Sequence, residues 1–181
     1  MRVLTGTEHT RTEHQTELGV IGFMVSMGIP AMIALGGIAA EGWDAISWTG
    51  AITWGVVATL AFTLFSLVGK AIGMTRMDLL DLLGSMFVKP KTTASRATGA
   101  IIHHMNGALL AIAWAYGVSL INAPANWLTG LFWGVILWAL ALLMMTTIGT
   151  VHPAIRHGVQ DDPGTAATNF GSMTPLGSLM G

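Results

Sequence analysis

The chain has 181 residues, 52% of them hydrophobic and only 9% charged, with a net charge of -1 and no cysteine. Soluble domains carry about a quarter charged residues, so this polar coat is too sparse for an ordinary water-soluble domain, and the near-zero charge excludes the electrostatic footprint of a general nucleic-acid binder. Without cysteine, disulfides, thiolate zinc sites and c-type haem attachment are excluded as well.

The first 17 residues, MRVLTGTEHTRTEHQTE, are polar and acidic. They lack the basic n-region and small-residue cleavage site of a signal peptide, so a retained cytoplasmic tail is expected over 1–17. Within it Glu8–His9 is echoed by Glu13–His14. On a helix His9, Glu13 and Glu17 would share a face, a spacing that suits a metal and equally a solvated helix leading into a membrane.

A spanning helix needs about 20 mostly apolar residues at about 1.5 Å each to cross about 30 Å of hydrocarbon. Residues 18–40, 46–69, 99–121 and 127–150 meet that requirement, and together they predict an all-α, integral membrane bundle of four transmembrane helices over 18–150. Between the second and third lies MTRMDLLDLLGSMFVKPK. Its apolar residues recur at helical spacing, but Arg76, Asp78, Asp81 and Ser85 punctuate it, which predicts a short amphipathic helix over 74–88 lying at the interface or folded under the bundle. Residues 151–181 form a second tail.

The charges test this layout independently, because cytoplasmic loops collect Lys and Arg. Arg2 and Arg11 precede the first span; Lys70, Arg76, Lys89, Lys91 and Arg96 fall between the second and third; Arg156 follows the fourth. All eight therefore lie on one side of a four-span layout. The expected location is the inner (plasma) membrane, multi-pass, with both termini cytoplasmic. Trp43, Trp48 and Trp127 would then sit in the opposite headgroup belt.

Lipid provides no hydrophobic drive for helices to associate, so close packing at small residues must hold the bundle. Gly22, Ser26, Gly28, Gly36 and Gly37 in the first span, Gly50 and Gly55 in the second, and Gly107 and Ala111 in the third are the candidate contacts.

The third span, GAIIHHMNGALLAIAWAYGVSLI, carries His103 and His104 near its cytoplasmic end, and His152 and His157 emerge from the fourth at the same face. Asp78 and Asp81 of the interfacial helix belong to that level too. Ionisable groups inside a span are costly and mark candidate sites. Imidazoles with carboxylates suit a divalent metal, making His103, His104, His152, His157, Asp78 and Asp81 candidate metal ligands. Alternatively His103, His104 or His152 could serve a haem, a chlorophyll-type pigment or a quinone. None of the spacings matches HExxH or a Glu-x-x-His ligand pattern. The competing reading is that His103 or His104 merely hydrogen-bonds Asn106, a backbone carbonyl or a headgroup, as polar helix glue does.

TRMDLLDLLGSMF, GAIIHHMNGALLAIAWAYG, GLFWGVILWALALLMM and FGSMTPLGSLMG follow one another in the chain. In this order they resemble a family of polytopic membrane proteins of bacteria and archaea, a domain of unknown function, over roughly residues 50–181. The resemblance implies a multi-helix membrane architecture and no particular reaction. It also implies that the last phrase opens a further transmembrane helix, which would be missing beyond Gly181.

Two functions are expected. One is a non-catalytic integral membrane subunit, embedded in the lipid bilayer among other transmembrane subunits of a larger complex, such as a respiratory or photosynthetic electron-transfer assembly. Scarce charge in the spans and the lack of a nucleophile or carboxylate pair favour it over an enzyme. The alternative is a redox or transport protein whose inner-side histidines hold a cofactor. Transport proper is weaker, since broken spans and midplane polar groups are few.

Overall fold

The computed structural model describes residues 28–72 and 78–156, and the ordered elements within them are all helical. They are α1 (Gly28–Glu41), α2 (Trp48–Ala71), α3 (Leu79–Gly84), α4 (Thr93–Leu120), α5 (Trp127–Val151) and α6 (Pro153–Arg156), with a single 3-10 turn at Trp43–Ala45. Among the described residues two segments are long and apolar enough to cross a membrane: Trp48–Ala71 and Trp127–Met144. α4 has the length, but His103, His104 and Asn106 make it more polar. The start of the first expected span, 18–27, lies outside the described residues.

Local chemistry sets the helix ends. α1 stops at Gly42, whose φ of 85° is the left-handed conformation that glycine adopts without steric cost. Ser47 caps α2 by accepting from the Gly50 amide at 3.2 Å. Thr92 and Ser95 form a reciprocal capping box that starts α4 at Thr93, six residues earlier than the apolar pattern predicts. Asn122, with φ of 51°, ends α4, and Asn126 caps α5 through the Leu128 and Thr129 amides. The expected interfacial helix over 74–88 is shorter. Asp78 caps it by accepting from the Asp81 amide, and at its far end the Gly84 carbonyl takes the Phe87 and Val88 amides, turning the chain.

The seam between α2 and α4 is made of small and polar residues, and the large buried side chains, Leu82, Tyr116 and Ile148, lie elsewhere. α2 and α4 meet at Gly55, Gly107 and Ala111, where a Cβ on Gly55 would run into the Gly107 carbonyl and one on Gly107 into Thr59. Thr59 and Thr63 are buried in the same seam, and each hydroxyl returns its hydrogen bond to the carbonyl four residues back, at 2.8 Å. Many large apolar side chains point the other way: Trp54, Phe65, Phe132 and Trp138 are 72%, 71%, 69% and 64% exposed. This inverts the arrangement of a soluble core, in which large apolar groups are interior.

One end of the bundle is closed by a clamp between α1 and α4. Tyr116 is fully buried against Gly37, its hydroxyl donates to the Gly42 carbonyl at 3.1 Å, and Ser119 donates to the Glu41 carboxylate. Beside it Trp43 stacks on Trp48 with ring centroids 3.9 Å apart, and the Trp48 indole N–H donates to the Trp43 carbonyl.

Candidate functional site

At the opposite end the short helix α3 touches α2, α4 and α5. Its packing against α4 is backbone on backbone: neither Gly84 nor Gly99 has room for a Cβ, because the Ser95 and Leu80 carbonyls occupy those spaces. A chain bearing larger residues at either point would hold the two helices apart. With them this close, the α3 carboxylates reach the start of α4.

Asp81 is buried, and it accepts from the Ser95 hydroxyl and, at 2.8 Å, from the Lys91 amide. Lys91 adopts φ of 60°, a left-handed conformation uncommon for a residue with a Cβ, and the hydrogen bond to Asp81 holds it there. Asp78 lies nearer the surface. It accepts from Lys70 Nζ of α2 at 2.5 Å and from Arg96 Nε of α4 at 3.1 Å. Burial opposes its ionisation, but the hydrogen bonds from Lys70 and the Asp81 amide, with the charges of Lys70 and Arg96, hold its carboxyl below the usual carboxylate range.

His152 closes the third side. It is the C-cap of α5, fully buried, and its Nε2 lies 2.8 Å from the Leu82 carbonyl of α3 and 3.3 Å from the Ser85 hydroxyl. A carbonyl only accepts, so Nε2 carries the proton. Nδ1 is buried without a partner.

His103 and His104 sit further along α4. Eight residues separate Ser95 from His103, about 12 Å of helix axis at about 1.5 Å per residue, so they occupy a different level from Asp81. His103 shares the four-residue stripe of Gly99, Gly107 and Ala111 and faces α2, its ring 5.9 Å from that of Phe62. Its Nε2 is buried without a partner. His104 points about 100° away around the helix; its Nδ1 donates to the Ala100 carbonyl of its own helix at 2.8 Å.

Of the residues the sequence singled out, Asp78, Asp81 and His152 are thus gathered on or against α3, whereas His103 and His104 stand apart. Among the described residues no three His, Asp or Glu side chains come together as a metal ligand set. His157 lies outside the described residues. Sequence reasoning missed Lys70, Ser85 and Ser95 as partners of this cluster. The Thr92-x-x-Ser95 capping pattern marks Ser95 as a helix-start residue, but nothing local marks it as the partner of Asp81.

No protein-family model matches the chain, and neither a curated protein nor a solved structure does.

Proposed function

We propose that the chain is a non-catalytic, multi-pass integral membrane subunit that packs through α5 against other transmembrane subunits of a larger complex. The observation that carries this reading is the exposure of α5 over its Trp127–Met144 segment. That segment has a mean hydropathy of 2.0, and none of its residues is buried within the chain. A helix apolar on all sides belongs in a large core or in lipid, and the inverted burial described above favours lipid.

Part of the α5 surface suits a helix better than an acyl chain. Gly130 and Gly134 are four residues apart, and a Cβ at either would meet nothing within 4 Å. Small residues at this spacing let two helix backbones approach closely. In the proposed layout α1 continues the apolar run from residue 18, α4 is the third span, and all eight basic residues lie on the cytoplasmic side of the plasma membrane. An electron-transfer complex is one assembly that such a subunit would join.

Isolation in mild detergent, followed by mass spectrometry, tests the reading. Companion membrane proteins should co-purify stoichiometrically, and Gly134→Leu should release them. A single chain without companions, behaving identically in the variant, would sink it. Labelling of intact and opened cells checks the layout, since Lys89 and Arg156 must become accessible together.

A second reading has its own observation: two buried imidazole nitrogens, His103 Nε2 and His152 Nδ1, lack partners. Each would suit a single-ligand role toward a haem, a chlorophyll-type pigment or a quinone, or contribute to a divalent metal site. An absorbance spectrum and metal analysis of the purified chain should then report a bound group, lost in His103→Ala or His152→Ala.

A further inference from the structure

We propose that the turn between α3 and α4, residues Phe87 to Lys91, is a docking surface for anionic phospholipid headgroups. The inference rests on the membrane-spanning reading and adds a lipid preference to it.

Asp78 is held by Lys70 and Arg96, and Asp81 is buried under Ser95 and the Lys91 amide. Asp81 faces inward between α3 and α4, and Asp78 is turned toward Lys70 of α2 and Arg96 of α4. The Lys89 and Lys91 side chains face outward: both are exposed, and neither ammonium has a carboxylate partner among the described residues. Among the described residues the turn therefore presents two cations without a carboxylate partner.

Phe87, two residues before Lys89, is 71% exposed. An aromatic ring left out beside two lysines costs free energy in water and gains it at the headgroup boundary, where the ring enters the acyl margin and the ammonium groups meet phosphates. The turn is also held in shape before any lipid arrives. The Lys89 carbonyl accepts from the Thr92 hydroxyl at 2.9 Å, and the Lys91 amide is fixed by Asp81. Binding thus costs little backbone ordering. In the proposed layout this turn lies at the cytoplasmic leaflet, which carries the anionic lipids that attract such residues.

The test uses the full chain in a neutral detergent, with phosphatidylglycerol or phosphatidylcholine added, and native mass spectrometry to count retained lipid. Phosphatidylglycerol should be retained preferentially, by about 5-fold for each lysine, and the preference should shrink as salt rises. Lys89→Gln with Lys91→Gln should abolish the preference while keeping the backbone amide that Asp81 uses. Phe87→Ala should weaken retention of both lipids and leave the preference intact. Equal preference in the double variant, or salt independence in the unaltered chain, would overturn the proposal. So would inorganic phosphate alone displacing the lipid completely, since that would make the site one for free anions. Extraction of cell membranes with alkaline carbonate separates this failure from that of the underlying reading: a chain released into the wash does not span the bilayer, and both readings fall. A chain that stays but shows no lipid preference loses only the docking surface.

Discussion

Gly99 of α4 lies directly against the Leu80 carbonyl of α3, and Gly84 of α3 returns the contact against Ser95. Two glycines thus make one crossing in which backbone meets backbone. The crossing brings Asp78 and Asp81 to the start of α4 and places the Leu82 carbonyl within reach of His152.

Because the obstructing atoms at both glycines are backbone, no rotamer change can make room for a methyl group. Gly99→Ala and Gly84→Ala should each destabilise the chain by about 1–3 kcal/mol, the usual cost of overpacking, or more. Gly134→Ala, where a Cβ meets open space, should cost nothing in the isolated chain. Thermal unfolding in detergent of the three variants checks the contrast, and equal midpoints would contradict the close crossing.

Asp81 and Ser95 form a buried pair whose members depend on each other. Ser95→Ala removes one donor from a buried carboxylate, and Asp81→Asn keeps the shape but alters the donors it can accept from. Each should cost about 1–3 kcal/mol. The double variant should cost less than the two added together, because the second change removes a partner already lost. Additive losses would show that the two side chains act independently.

Much of the helical layout was legible in the sequence, and the reason differs by element. The expected span 127–150 corresponds to α5 at Trp127–Val151, and 46–69 to α2 at Trp48–Ala71, because apolar length and the Asn126 and Ser47 caps are local signals. α4 begins well before 99, since Ser95 and Gly99 are helical for reasons of capping and contact that hydropathy does not register. The histidines show the limit most clearly. Shared depth suggested that His103, His104 and His152 belong to one level, yet His103 faces α2, His104 bonds its own helix, and His152 is held by α3. Which way an imidazole turns is decided by helix phase and by packing between distant segments, and neither Leu82 nor Ser85 announces itself as a histidine partner.

The ion pairs of Asp78 give a pH dependence whose sign follows from its depressed pKa. A carboxylate with a folded pKa below the unfolded value contributes stability that is present above the unfolded value, here 3.8, and lost as pH falls through the folded one. Since the pair is partly exposed, the loss should be small, about 0.2–1 kcal/mol. Asp78→Asn retains the cap on the Asp81 amide and removes only the charge, so its unfolding midpoint should vary less across that window. An unchanged acid slope in the variant would assign the effect elsewhere.

His152 joins the end of α5 to α3, and the relative weight of its packing and its hydrogen bond can be separated by substitution. Ser85 also donates to the Leu82 carbonyl, at 3.0 Å, so that oxygen keeps one partner when the imidazole is gone. His152→Leu should then fill most of the space, remove the orphaned Nδ1, and cost little. His152→Ala leaves a cavity where a fully buried ring stood and should cost more, about 2 kcal/mol or above. Hydrogen exchange supplies the independent readout, because untethering α5 from α3 should speed exchange of the Leu82 and Ser85 amides in His152→Ala but not in His152→Leu. If leucine loosens α3 as much as alanine does, the imidazole hydrogen bond, and not the volume of the side chain, holds the two helices together.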